Sequence, residues 1–134
     1  MLVYGRPRPA FKNAPQSLRA LFRKNRTDAT FVVFGKERYT FNQTWHEACS
    51  IAHGLVKEYE IIPGDRVSIC MRNSPEWIIA FQAITSIGAI AVPINSLWQA
   101  AETSMGWMIL TANYLFVVKS GSICSPVTIY PVKC

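Results

Sequence analysis

His46, Cys49 and His53 stand at spacings of three and four, which would place two imidazoles and a thiol along one face of a helix. Those are zinc-ligand types at ligand-like spacing. The assignment preferred for them is structural, a small buried thiol between two surface histidines, because free cysteine is among the most buried residue types. Asp65 and Glu76 could in principle form an acid/base carboxylate pair, but they are eleven residues apart at opposite ends of a short apolar run. They read better as a turn residue and a helix-start residue. Ser74 has no neighbouring base to activate it as a nucleophile, so it reads as a helix cap. The stripe Trp77, Phe81 and Ile84 has helical spacing and reads as core. No catalytic, cofactor-binding or metal-binding role is assigned to any residue.

The elements that would carry these side chains follow from periodicity. In "PQSLRALFRKNRTDA", Leu18, Leu21 and Phe22 share one helical face while Arg19, Arg23, Lys24 and Arg26 occupy the rest. That pattern suits an amphipathic helix packed on a domain, and it also suits a mitochondrial presequence. "FVVF" and "RYTF" flank "GKE" and read as a hairpin. From Asn42, apolar Trp45, Ala48, Cys49, Ala52, Leu55 and Val56 recur at three and four, the mark of a helix of about four turns with one buried face. Pro63-Gly64-Asp65 turns the chain into the strand "RVSICM". "NSPEW" then starts a helix, with Ser74 accepting from first-turn amides, Pro75 at the first helical position and Glu76 at the positive end of the dipole.

From Trp77 to Ile94 the chain carries no charge, and a second uncharged run extends from Thr103 to Val118. A membrane span is the obvious alternative. However, a helix begun at Pro75 meets Gly88, which can take the left-handed conformation that ends helices. About thirteen residues, near 20 Å, is too short for a hydrocarbon core of about 30 Å. "AIAVP" then reads as a buried strand with Pro93 near its end. Strand, helix and strand form a parallel crossover, covered by helices on both faces. "LWQAAETSMGWMIL" reads as a further helix and "YLFVV" as a further strand. The fold class is therefore α/β with a mostly parallel sheet.

Composition bounds the rest. The 134 residues are one domain's worth, half hydrophobic and 16% charged, which excludes a disordered chain. Residues 1–40 hold nine Lys and Arg against two acids, and residues 41–134 hold five against six. Such asymmetry is used for nucleic acid or acidic membrane surfaces. The arginines are not interleaved with stacking aromatics, and no DNA- or RNA-binding signature is present, so nucleic acid is not expected as a partner. Cys49, Cys70, Cys124 and Cys134 form no CxxC pair and "MLVYGRPRPAF" is no secretory signal. Reduced thiols in an intracellular, cytoplasmic setting are expected, with mitochondrial import as the alternative.

Two long stretches resemble the acyl-adenylate-forming enzymes, of acyl-CoA synthetase or acid–CoA ligase type. "RYTFNQTWHEACSIAHGL" resembles an early box of that family. "IIPGDRVSICMRNSPEWIIAFQAITSIGAIAVPIN" resembles the next, in which Gly-Asp-Arg-Val enters a strand, Asn-Ser-Pro-Glu opens a helix and Val-Pro-Ile-Asn closes the crossover. The resemblance runs from about Leu18 to Val118 and favours the amphipathic-helix assignment for Leu18–Arg26. It implies carboxylate activation by ATP through an acyl-adenylate, then thioester formation, with ATP, magnesium and coenzyme A as the complete enzyme's cofactors. It also implies a Ser/Thr/Gly-rich phosphate loop ending in Pro-Lys-Gly, which these residues lack. "KSGSICSP", residues 119–126, has one glycine and reads as a surface turn.

The expected organisation is a basic extension over residues 1–16, a partial AMP-binding subdomain over 17–118, and a divergent tail over 119–134, as if cut short before the phosphate loop. No cofactor is expected on these residues alone. The expected partner is the remainder of the enzyme or a homologous chain. An interaction module pairing through an open sheet edge beside "YLFVV", and a two-span membrane protein using residues 77–101 and 103–118, are the alternatives.

Overall fold

The computed structural model describes residues 2–3, 5–9, 11–95, 97, 114–117 and 128–131. A minimal antiparallel pair, β1 (Leu2–Val3) and β2 (Arg6–Pro7), precedes helix α1 (Leu18–Lys24). Ser17 caps α1 by accepting from the Ala20 amide at 3.1 Å. The expected hairpin is β3 (Thr30–Phe34) with β4 (Glu37–Thr40), paired antiparallel with an irregularity between Thr30 and Val32. Gly35 opens its two-residue turn at φ +56°.

Helix α2 (Phe41–Lys57) follows β4 directly. Thr40 forms a capping box. Its hydroxyl accepts from the Gln43 amide at 3.1 Å, and the Gln43 carbonyl Oε1 accepts from the Thr40 amide at 2.8 Å. Two otherwise orphaned donors are satisfied reciprocally, and Phe41 stacks on Phe31 with ring centroids 4.3 Å apart. The hairpin and α2 are thereby locked at their junction.

The buried face of α2 is rotated from the one the periodicity suggested. Thr44, Trp45, Ala48 and Leu55 are buried, whereas Cys49 and Val56 are exposed. Thr44 was missed because a polar residue does not count in an apolar pattern. Its hydroxyl is satisfied locally, donating toward the Thr40 and Phe41 carbonyls at 3.2 and 3.1 Å, and so it can be buried without penalty.

The crossover is as read: β5 (Arg66–Cys70), α3 (Pro75–Ser86) and β6 (Ile90–Ile94), with β5 and β6 parallel from Arg66↔Ile90 to Cys70↔Ile94. Strand β7 (Tyr114–Val117) lies parallel on the other side of β5. Strand β8 (Thr128–Pro131) pairs antiparallel with β7, giving the order β6-β5-β7-β8. This corrects the expectation of an open edge beside "YLFVV", because Thr128–Pro131 occupies it. The expected helix over "LWQAAETSMGWMIL" lies outside the described residues except Leu97.

The uncharged run has a structural cause. Helix α3 packs against β5 and β6 on one side and against α1 and α2 on the others. Ile79, Ala80, Ala83 and Ile84 are buried with Val67 and Ile69 of β5 and with Ala48 and Leu55 of α2. A helix enclosed on several sides needs apolar residues nearly all round. Helix α3 is twelve residues long, and among the described residues no helix is long and apolar enough to cross a membrane. Where the proposed span over 77–101 is described, residues 77–94 are instead the rest of α3, a turn at Gly88 and strand β6.

Two details differ from expectation. Strand β6 is an edge strand with only Ile94 buried, so it is not covered as fully as β5, and its edge position tolerates Pro93 within the strand. Trp77 and Phe81 are half-buried, stacked on each other with centroids 5.6 Å apart at the margin of the core. Only Ile84 of that stripe is fully enclosed.

Candidate functional site

In an open parallel sheet, the loops that follow the strands meet at one rim, where ligands are usually received. Here that rim is built by Met71–Ser74 after β5 and by Asn95 and Leu97 after β6. They frame a cleft of about 830 Å³ lined by Met71, Arg72, Asn73, Trp77, Pro93, Ile94, Asn95 and Leu97. Arg72, Asn73 and Asn95 are exposed there. Asn95 Oδ1 accepts from the Leu97 amide at 3.0 Å, which shapes the second loop.

Helix α3 begins at this rim. Ser74 is its N-cap, with extended backbone (φ −147°, ψ 166°), but its side chain makes no capping hydrogen bond. The expectation that it accepts from first-turn amides is corrected: the Ser74 carbonyl accepts from the Trp77 amide at 3.1 Å. Pro75 at the first helical position removes one donor that would need a partner, and Glu76 lies in the first turn as expected.

The opposite rim is a clamp. The Gly64 amide donates to the Gly88 carbonyl at 2.9 Å, and the Ile90 amide donates to the Asp65 carbonyl at 2.7 Å. Asp65 Oδ2 accepts from the Ile62 amide at 2.9 Å. Asp65 is thus a turn residue, separated from Glu76 by the length of β5, and the two form no acid/base pair.

Cys49 and His53 line a second groove, about 350 Å³, between α1, α2 and the end of α3, together with Arg19, Trp45, Ser86 and Ile87. The thiol is exposed, which corrects the expected buried cysteine: position 49 lies just beyond the edge of the apolar stripe. His46 and His53 are exposed, as expected. Among the described residues no three His, Cys, Asp or Glu side chains converge to hold a metal. Cys70, at the rim end of β5, is half-buried, and burial pushes its thiol above the ordinary value, which opposes thiolate chemistry.

The donor set at the rim is one guanidinium, two carboxamides and apolar walls. It can receive a neutral or singly anionic group, and among the described residues it offers no convergent set of cations and carboxylate such as magnesium-bound triphosphate requires. Arg72, Asn73 and Asn95 were not singled out from the sequence. The signal was available, because a parallel crossover brings the two post-strand loops to the same rim.

This geometry defines an α/β scaffold of crossover type with a receptive carboxyl rim and a clamped amino rim. Residues 19–127 match the family model described as AMP-binding enzyme, and the chain belongs to that family. It is 31% identical over 91 residues to the acyl-CoA ligase SID4 of Ajellomyces capsulatus, covering 68% of this chain and 15% of that protein. It is 40% identical over 67 residues to the long-chain-fatty-acid–CoA ligase FadD13 of Mycobacterium tuberculosis, covering 50% of this chain and 13% of that protein. Among solved structures, coronafacic acid ligase from Pectobacterium brasiliense superposes with a TM-score of 0.69 at 28% identity, covering 75% of this chain and 20% of that one. The chain therefore spans about a fifth or less of the length of these relatives.

Proposed function

We propose that these residues form the amino-terminal part of the scaffold of an ATP-dependent acid–thiol ligase, one that activates a carboxylic acid as its acyl-adenylate and passes the acyl group to a thiol. The observation that carries this is the family match over residues 19–127, laid on a sheet whose crossover and rim have the required architecture. The relatives' names, fatty acid and anthranilate or benzoate ligases among them, support a carboxylic acid as the substrate class. ATP, magnesium and coenzyme A belong to the complete enzyme, with the remainder of that enzyme as the partner.

The 134 residues alone do not adenylate or ligate, because polyphosphate chemistry needs aimed amides, cations and a held metal. The test is ATP–pyrophosphate exchange with a panel of aromatic and fatty acids. The chain by itself is expected to give no exchange above blank. A chimera in which residues 17–95 replace the matching segment of an active acid–CoA ligase is expected to retain it. Exchange by the chain alone, or a chimera that folds without activity, would overturn the proposal. A second reading, pairing through a sheet edge, draws on β6, where Ile90 is 46% exposed. A monodisperse monomer by light scattering at high concentration would count against it.

A further inference from the structure

We propose that the segment from Gly5 to Arg26 is a docking surface for an anionic lipid bilayer. It carries seven cations, Arg6, Arg8, Lys12, Arg19, Arg23, Lys24 and Arg26, and no acid. The first acid, Asp28, accepts from Asn42 Nδ2 at 2.7 Å and is thereby engaged with α2. Helix α1 packs on α3 with Leu21 and Phe22 half-buried, while Arg19, Arg23 and Lys24 are exposed. The helix ends are held by hydrogen bonds. Ser17 caps one end, and Asn25 Nδ2 and Arg26 Nε donate to the Leu21 and Arg23 carbonyls at 3.0 and 3.2 Å. Among the described residues, the bonds that hold the helix use no acidic side chain.

Apolar side chains are interspersed with these cations. Phe11 is 89% exposed and adjoins Lys12, whereas Leu18, 43% exposed, shares the α1 face of Leu21 and Phe22. Cations beside a projecting aromatic ring fit a headgroup layer, where the charges meet anionic lipid and the Phe11 ring enters the acyl boundary. A nucleic acid would satisfy the charges and leave the Phe11 ring in water. Residues 5–18 precede the family match, while Arg19, Arg23, Lys24 and Arg26 lie at its start, the first three on a helix packed against α3, so the surface borders the ligase scaffold.

The test is sedimentation of the full chain with phosphatidylcholine vesicles, with and without about a third phosphatidylserine. Binding is expected to require phosphatidylserine and to be lost in about 1 M salt, where screening shortens to about 3 Å. Each neutralised cation is expected to weaken partition about fivefold, so Arg19→Gln, Arg23→Gln and Lys24→Gln together weaken it about a hundredfold. Phe11→Ser, outside every helix and strand, is expected to weaken it roughly tenfold with the salt dependence kept. Equal partition to neutral vesicles, or no binding to either kind, would overturn the proposal. So would displacement by a short DNA duplex at equal phosphate concentration with the Phe11→Ser variant binding unchanged.

Discussion

Replacing Gly88 with alanine is expected to destabilise the chain by about 2–3 kcal/mol, through two separable costs. Gly88 sits at φ +83°, where a β-carbon costs about 1–2 kcal/mol. A β-carbon placed there would also lie 3.2 Å from Pro63 Cβ and 3.6 Å from its Cα. Pro63 cannot swing aside, since its ring is tied to the backbone, and relieving such overpacking costs about 1 kcal/mol more. The relief would pull on the bond from the Gly64 amide to the Gly88 carbonyl. Two further glycines separate the terms. Gly64 sits at φ +95° with open space around its missing β-carbon, so Gly64→Ala is expected to cost the strain alone, about 1–2 kcal/mol. Gly54 lies within α2, also with open space, and Gly54→Ala is expected to stabilise by about 0.5–1 kcal/mol. At this chain length 1 kcal/mol moves the melting temperature by about 3–4 °C. Thermal unfolding followed by circular dichroism should therefore rank Gly54→Ala above wild type, then Gly64→Ala, then Gly88→Ala about 6–12 °C below wild type. A Gly88→Ala protein as stable as wild type would refute the clamp at this rim.

Thr40→Ala removes half of the capping box and is expected to cost about 1–2 kcal/mol in urea unfolding, with Thr40→Ser recovering most of it. Tyr39 is pushed up to about 12 by burial and then by its hydroxyl donating to Glu37 Oε2 at 2.7 Å. Ultraviolet titration should show Tyr39 ionising late, and moving toward the ordinary value in Glu37→Gln. The stabilisation linked to that proton is fully present below about pH 10 and is lost as pH rises through about 12. With Ellman's reagent, Cys49→Ser is expected to remove a fast-reacting thiol from the native protein, whereas Cys70→Ser leaves the fast phase unchanged.

Most of the scaffold was legible because its local and long-range signals agree. The recurrence of Trp45, Ala48, Ala52 and Leu55 announces α2, Pro75 and Glu76 announce α3, and Gly88 ends it where the apolar run would otherwise suggest a span. Three features escaped for physical reasons. Cys49 is apolar enough to join a periodic stripe while lying at its exposed border. Ser74 caps through its backbone conformation, which residue type alone does not reveal. Strand β8 comes from "KSGSICSPVTIYPVKC", whose turn residues hide a four-residue strand that gains its meaning only from β7 beside it. Asn73 and Asn95 fall within the family-like stretches, but only the parallel crossover brings them and Arg72 to one rim.

The clamp at the amino rim has a consequence for variation. Gly64, Asp65, Gly88 and Ile90 tie the entrances of β5 and β6 to each other by main-chain bonds, so strand alignment is set there without help from the other end. Loops at the exits can then lengthen, shorten or change residues while the register from Arg66↔Ile90 onward stays fixed. A scaffold anchored at one end and unconstrained at the other can accumulate change where ligands are met, at little cost to folding.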